Sequence, residues 1–540
     1  VAGALALVFV VIVGRATQVA LVHEAGAATS KPAAIAAEAM PRADIVDRRG
    51  EILATSLPAW NLSANPRAIW NATDVAAGVH SVFPDIDAAE LARKLADKDR
   101  AFVPIRMRIT PPQRKAMLKL GLEGLAFAEE TRRVYPGGKL AGHLLGFTNR
   151  DGKGAEGVEY AFDEQLASGK GPLRLTLDAR VQFALEDEIE KAQADFEMKG
   201  AAGVVLDARD GAVRAIASWP QVDPNKPNER AENAKKNRAL GEVYELGSIY
   251  KPLTVASALE AGVLGLNDTF DTTQSIRIGA RLFKDRHPIP NPRAATAADI
   301  IAWSSNIGAI EIGERVGPRR QKDFLEKVGL LTRPEYEGPP SGAPILPAEW
   351  TPMTSATVAY GHGIAVSPLA FAFAYTPFAT GGEYVKPSFV EPVDPAQSQR
   401  RRVMAAPTAQ ILVEMLRKTV LEGTGKLADA PGYEVAGKTG TAEKIDENGV
   451  YQDDHNVTSF AAVFPASRPQ FVVLIVLDDA LPRTGDVRTA SVTAAAIAGR
   501  LIARAGPLLD VAPVMNAPVV DAKRNDHRPA VQPVRESAPL

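Results

Sequence analysis

Past Gly200, five short strand-like runs stand in two groups, two early and three late, with a long and mostly helical stretch between them. Ala202 to Asp207 and Ala212 to Ser218 are joined by Arg209-Asp-Gly211, a hairpin signal; Tyr433 to Thr441, Thr458 to Phe464 and Phe471 to Leu477 follow far downstream. This pattern predicts one sheet whose strands are divided by a helical insertion. The helices expected around it begin at Ser248 and end near Gly262, then cover residues 296–316, 408–422 and about Ser491 to Ala505. In the third of these, Ile411, Leu412, Met415, Leu416, Thr419 and Val420 form one apolar stripe.

Upstream of the sheet the grammar differs. Arg42 to Ala54 reads as strand, turn at Gly50 and strand, and the stretches Arg132 to Gly138 and Gly152 to Glu159 are Gly-rich and turn-forming. They predict an elongated, non-enzymatic module. Asp178 can cap a helix in which Val181, Leu185, Ile189, Ala192 and Phe196 recur on one face, a hinge between this module and the sheet. With 540 residues, 46% of them hydrophobic, two or three domains are expected. The expected divisions are an anchor at 1–23, a linker at 24–41, a first module at 42–199, a sheet domain at 200–510 and a disordered tail at 511–540.

The formal net charge of -2 and the lack of a basic stripe with interleaved aromatics argue against nucleic acid as a partner. No cysteine is present, which excludes thiolate catalysis and cysteine-ligated metals and fits an exported protein without disulfides. The seven histidines are scattered, so neither a metal nor another cofactor is expected. Val1 to Val13 is uncharged and apolar, and Ala16 to Val22 is mostly so again after Arg15. A span needs ~20 residues; the expectation is a truncated single span, with a signal peptide cleaved near Ala25-Gly-Ala27 as the rival. Either places the remainder outside the cytoplasm.

The chemistry centres on Tyr244-Glu-Leu-Gly-Ser248-Ile-Tyr-Lys251-Pro-Leu-Thr254. On a helix, Ser248 and Lys251 share a face. A serine hydroxyl is a weak nucleophile unless a base sits beside it, and a lysine can serve once its pKa is lowered. Two further motifs meet that demand: Ser304-Ser305-Asn306 at a predicted helix start, and Lys438-Thr439-Gly440-Thr441 on a predicted strand. A second cation near Lys251, and burial, both favour its neutral form. Ser304 can relay a proton between Lys251 and a leaving amine, and Asn306 can hydrogen-bond a substrate amide. Lys438 with the Thr439 and Thr441 hydroxyls suits a carboxylate, and Gly440 lets a ligand backbone pair closely with the strand. The backbone N–H groups of Ser248 and Thr441 are candidates for an oxyanion hole. Ser305 is expected to face away from the site, and His362, in a Gly-flanked turn, to be structural.

The ordered triple S-x-x-K, S-x-N, K-T-G resembles that of penicillin-binding proteins and serine β-lactamases. The lead-in from Arg238 to Ser248, the block Tyr360-Gly-His-Gly-Ile-Ala-Val-Ser-Pro368 and Gly423-Thr-Gly425 ahead of Ala436 to Ala442 are similar to class B, monofunctional transpeptidases of the cell-division (FtsI) type. The resemblance covers roughly residues 1–510, with Leu246 departing from the usual proline and Ser168 to Leu177 short. It implies an α+β fold: a penicillin-binding, serine β-lactamase-like transpeptidase domain with a five-stranded antiparallel sheet between helices and Lys438-Thr-Gly on one edge, an N-terminal pedestal and a membrane-anchor helix. Glu156 and Glu159 are then pedestal contacts or surface. The implied activity is peptidoglycan D,D-transpeptidation at the septum through a Ser248 acyl-enzyme, with Lys251, Ser304, Asn306 and Lys438 catalytic and Thr439, Gly440 and Thr441 binding substrate. Stem peptides ending in D-Ala-D-Ala, on lipid II-derived glycan strands, are the implied substrates, and β-lactams the inhibitors. A SEDS-type glycan polymerase (FtsW type) and other divisome proteins are the implied partners, at a bacterial inner membrane with the catalytic domain periplasmic.

Other readings of the same residues exist. A β-lactam sensor or scaffold would keep the Ser248 chemistry without cross-linking, and a D,D-carboxypeptidase side activity would use water as acceptor. A β-lactamase would need a water-activating base that the spacing does not supply. Gly432-Tyr-Glu-Val-Ala-Gly437-Lys438-Thr439 also matches G-x-x-x-x-G-K-[ST], a nucleotide-binding P-loop, which must follow a strand and open a helix. Here Tyr433 to Ala436 reads as strand, and Glu443 to Asn456 is polar without an apolar stripe.

Overall fold

The computed structural model describes residues 41–279, 281–286, 288–393, 399–445, 451–483 and 489–514. The expected anchor, all but the last residue of the expected linker, and the tail past residue 514 lie outside the described residues. Among the described residues no helix is long and apolar enough to cross a membrane.

The first module is built on a sheet of β1 (Ile45–Val46), β2 (Ile52–Ala64), β3 (Val103–Ile109), β4 (Leu125–Val134) and β5 (Leu173–Arg174), in the order β3-β2-β1-β5 with β4 also paired to β2. The turn at Gly50 joins β1 to β2 as expected, but β2 runs on for 13 residues and pairs antiparallel with β4 from Thr55 to Ala64. Two helices, Ala72–Val82 and Ala88–Ala96, are capped by Asn71 and Asp87 and close a separate core with Leu62, Ile69, Val79, Leu95 and Ile109. At the base of the module a carboxylate does the tying. Glu159 is fully buried, accepts from Arg42 Nε at 2.6 Å and Arg133 Nε at 2.7 Å, and takes the Tyr135 hydroxyl at 3.2 Å. Glu156 instead pairs with Arg230 at 2.7 Å, part-exposed.

Helix α1 (Ala179–Lys191) starts at Asp178, whose side chain accepts from Arg180 N, as its spacing predicts. It ends short of Phe196, and it is not a free hinge. Val181, Ala184, Leu185 and Ile189 pack against the large sheet, while Asp47 Oδ2 accepts from Ala179 N at 3.0 Å and ties β1's turn to the helix start.

The large sheet comprises β6 (Gly200–Asp207), β7 (Ala212–Trp219), β8 (Ala436–Ile445), β9 (Tyr451–Phe464) and β10 (Phe471–Asp478), ordered β8-β9-β10-β6-β7 with every neighbour antiparallel. All eight residues of β10 are buried because both faces are covered. Val472, Leu474 and Val476 face the core shared with helices α2 (Lys251–Glu260), α3 (Ala297–Trp303) and α4 (Asn306–Val316). Phe471, Val473, Ile475 and Leu477 face α1 and α6 (Ala494–Leu508). Each such side chain contributes about 1.5–3 kcal/mol by leaving water. The remaining long helix, α5 (Ala406–Leu421), lies nearest α3 and β8.

Residues 296–316 are helical in two pieces: Ser304 takes φ 64°, ψ 39° and ends α3, and α4 opens at the predicted Ser304-Ser305-Asn306 start. Glu443–Ile445 and Tyr451–Asn456 extend the two strands past their expected ends, with Glu443 opposite Asn456 and Ile445 opposite Tyr451. Strand ends beyond the core are held by their ladder and have no need of apolar alternation.

Candidate active site

Ser248 lies in a single tight turn, Gly247–Tyr250, that runs directly into α2 with Pro252 in the helix's first turn. Residues three apart eclipse one another in such a turn, so Ser248 and Lys251 share a side, as expected. The turn is clamped. Ser459 Oγ donates to Leu246 O at 2.9 Å, Gly247 N to Gly361 O at 3.1 Å, and the Tyr375 hydroxyl to Ile249 O at 2.6 Å. Gly247 itself has φ 60°, and a Cβ there would stand 2.5 Å from Thr441 O. The nucleophile turn is therefore seated against the exposed edge of β8.

Three segments converge behind that turn. Lys251, fully buried, donates to Ser304 O at 2.6 Å and to Asn306 Oδ1 at 2.8 Å, with Ser304 Oγ at 3.1 Å. Lys438, also fully buried, donates to Ser304 Oγ at 3.0 Å and to Thr439 O at 2.9 Å. Burial pushes the Lys251 amine down to about 7; Asp285 opposes that shift and Arg286 adds to it. Burial, then the neighbouring Lys251, holds Lys438 well below the usual lysine range. Two amines in a dry site cannot both hold a full charge, and Ser304 Oγ is the atom they share.

The open side is a cleft of about 430 Å³ lined by Ser248, Ser304, Asn306, Thr439, Thr441 and Tyr360, among others. Lys438 is not on its wall. It stands behind Ser304 and Thr439, donating to the Ser304 hydroxyl and the Thr439 carbonyl. At Gly440 a Cβ would fall 2.3 Å from Leu246 O and 2.4 Å from Ser459 Oγ. Its bareness admits the nucleophile turn. Ser305 faces away as expected, accepting from Gly308 N at 2.9 Å and donating to Asp285 at 2.6 Å. The His362 ring packs on Tyr360 at 4.9 Å and Tyr451 at 5.7 Å on the cleft wall.

Sequence reasoning missed Asp285 and Thr424. Thr424 Oγ1 bonds Thr439 Oγ1 at 2.6 Å, and Thr424 N donates to Ala302 O at 3.1 Å, bracing β8 against α3. Its signal was present in Gly423-Thr-Gly425; Asp285 had none, because its partners lie about twenty residues on. The P-loop reading fails on geometry: a P-loop lysine opens a helix, whereas Lys438 lies inside a strand that runs from Ala436 to Ile445.

A cleft serine backed by two buried lysines on a sheet edge defines a serine acyl-transfer site. The Penicillin binding protein transpeptidase domain matches residues 201–502, and the Penicillin-binding Protein dimerisation domain matches residues 37–195. The chain is 37% identical over 485 residues to a probable peptidoglycan D,D-transpeptidase FtsI of Caulobacter vibrioides, covering 87% of this chain and 82% of the relative. With the peptidoglycan D,D-transpeptidase FtsI of Escherichia coli it shares 29% identity over 487 residues, 84% of this chain and 81% of that protein. The crystal structure of penicillin binding protein 3 from Mycobacterium tuberculosis complexed with aztreonam matches with a TM-score of 0.68 at 26% identity, over 88% of this chain and 97% of that one. The chain belongs to the penicillin-binding protein family, as a class B member of the FtsI type.

Proposed function

We propose that this protein is a peptidoglycan D,D-transpeptidase that cross-links stem peptides through an acyl-enzyme on Ser248. The observation that carries the reading is the meeting of Lys251 and Lys438 at Ser304 Oγ, 3.1 and 3.0 Å away, on the wall of the cleft that Ser248 lines. Neutral Lys251 takes the Ser248 proton as Oγ attacks the penultimate D-Ala carbonyl. Its own two N–H bonds are already directed at Ser304 O and Asn306 Oδ1, which leaves a lone pair for that proton. Contact of Gly247 with Thr441 brings two backbones together, which supports the Ser248 and Thr441 N–H groups as the oxyanion donors. The proton then passes through Ser304 Oγ to the departing D-Ala amine, so the peptide C–N bond breaks as the ester remains. An amine of a neighbouring stem attacks the ester by the reverse path, and Ser248 leaves with its proton restored. Thr439 and Thr441 meet the terminal carboxylate through their hydroxyls, with the Lys438 amine hydrogen-bonded behind Thr439.

β-Lactams, which present the same carbonyl and carboxylate, acylate Ser248 and leave slowly; the aztreonam complex of the mycobacterial relative supports this. The further reading is of a single-pass inner-membrane protein with an anchor at 1–23, a pedestal at 42–199 and a periplasmic catalytic domain at 200–510, working with a SEDS-type polymerase and other divisome proteins. Muropeptide analysis with such a polymerase tests it. Cross-links are expected with the wild-type chain and lost in Ser248→Ala. Acylation by penicillin without cross-links would favour the sensor reading instead.

A further inference from the structure

We propose that Asp285 is a positioning residue for acyl transfer, whose carboxylate holds the Ser304–Asn306 turn against Lys251. This rests on Ser248 being the acylated nucleophile. The turn is unusual in what it must satisfy. Ser304 is left-handed, a conformation that costs roughly 1–2 kcal/mol for a residue with a side chain. The first N–H groups of α4 have no acceptor within the helix, and Ser305 Oγ covers only that of Gly308. Asn306 N and Ile307 N both turn to Asp285 Oδ1, at 2.5 and 3.1 Å, while the Ser305 hydroxyl donates to Oδ2 at 2.6 Å. One carboxylate from a separate loop thus takes three hydrogen bonds from three consecutive residues, where the helix dipole also favours an anion.

What that turn carries is Lys251. Ser304 and Asn306 supply all three polar contacts made by its Nζ. A fault in the turn therefore moves the base. Charge is the second effect. Among the described residues, the charged and titratable groups facing this site are Lys284, Asp285 and Arg286 on the loop, Lys438 and Glu443 on β8, and His362 on the cleft wall. Among them Asp285 favours the ammonium form and Arg286 disfavours it, and Arg286 is itself paired with Glu443 across the cleft. Removing the Asp285 charge makes the neutral base available at lower pH; removing that of Arg286 does the reverse.

The test is the second-order rate of acylation by a fluorescent penicillin, measured from pH 5 to 9 on the purified protein. Asp285→Ala should lose on the order of a hundredfold on the alkaline plateau through misplacement of Lys251. Asp285→Asn keeps an acceptor oxygen, so it should retain more activity while the acid limb of its profile moves down by about one unit. Arg286→Gln should move that limb up. A limb that stays in place in Asp285→Asn, or a wild-type rate in Asp285→Ala, overturns the proposal. Thermal unfolding separates a folding defect: should Asp285→Ala fail to fold, the direction of the limb in Asp285→Asn decides. A wild-type adduct that does not map to Ser248 would instead overturn the parent reading.

Discussion

Lys438 Nζ lies 3.0 Å from Ser304 Oγ, a contact across 134 residues that joins a sheet edge to a break between two helices. The same hydroxyl is 3.1 Å from Lys251. That hydroxyl stands between the two amines. Ser304→Ala leaves both lysines buried and facing an apolar methyl. Acylation should fall by about 10²–10⁴-fold, the range of a lost proton-transfer group, with a near-native far-ultraviolet circular dichroism spectrum.

Lys251 is a base only when neutral. With its amine pushed down to about 7, the ammonium form dominates below that pH and the lone pair is lost. Acylation should therefore rise as pH increases through about 7 and level off above it. Lys251→Arg should be inactive throughout, since a guanidinium does not deprotonate at usable pH. Stopped-flow acylation between pH 5 and 9 checks both; retained labelling in Lys251→Arg would reject the assignment.

Gly440→Ala places a methyl 2.3 Å from Leu246 O, a backbone atom with little freedom to yield. The strand edge and the nucleophile turn must separate. Overpacking of this kind costs about 1–3 kcal/mol, and displacement of Ser248 should cost a further ~100-fold in acylation. Chemical denaturation and the acylation rate, measured together, distinguish this from a change in ligand binding alone, which would leave stability untouched.

In the pedestal, Glu159→Ala removes a fully buried carboxylate, leaving part-buried Arg133 without its ion pair while Arg42 keeps Asp163. Breaking a buried pair in this way costs about 3–5 kcal/mol. Glu156→Ala removes a part-exposed pair with Arg230 and should cost no more than ~1 kcal/mol. Urea midpoints of the two variants give the comparison.

Much of this site could be read before any coordinates, because acyl-transfer chemistry writes itself in short local words. Ser248-Ile-Tyr-Lys251 must lie within one turn, and Lys438 to Thr441 on one strand, whatever the rest of the chain does. Asp178 was legible for the same reason: a cap acts within three residues. The helix start at Ser304-Ser305-Asn306 was legible as well, but the left-handed turn at Ser304 was not, since Ile300, Ile301, Ile307 and Ile310 keep a helical rhythm across it. Likewise Glu159 gave no sign of being buried, as its partners Arg42 and Arg133 lie far away in sequence. The strand extensions Glu443–Ile445 and Tyr451–Asn456 were missed because pairing, not an apolar pattern, makes them strand.

The account stands on Ser248 as the reacting oxygen. Mass spectrometry of the protease-digested protein after penicillin treatment should find a single acylated peptide containing Ser248, absent from Ser248→Ala. An adduct on another residue, or one that persists in Ser248→Ala, would contradict it.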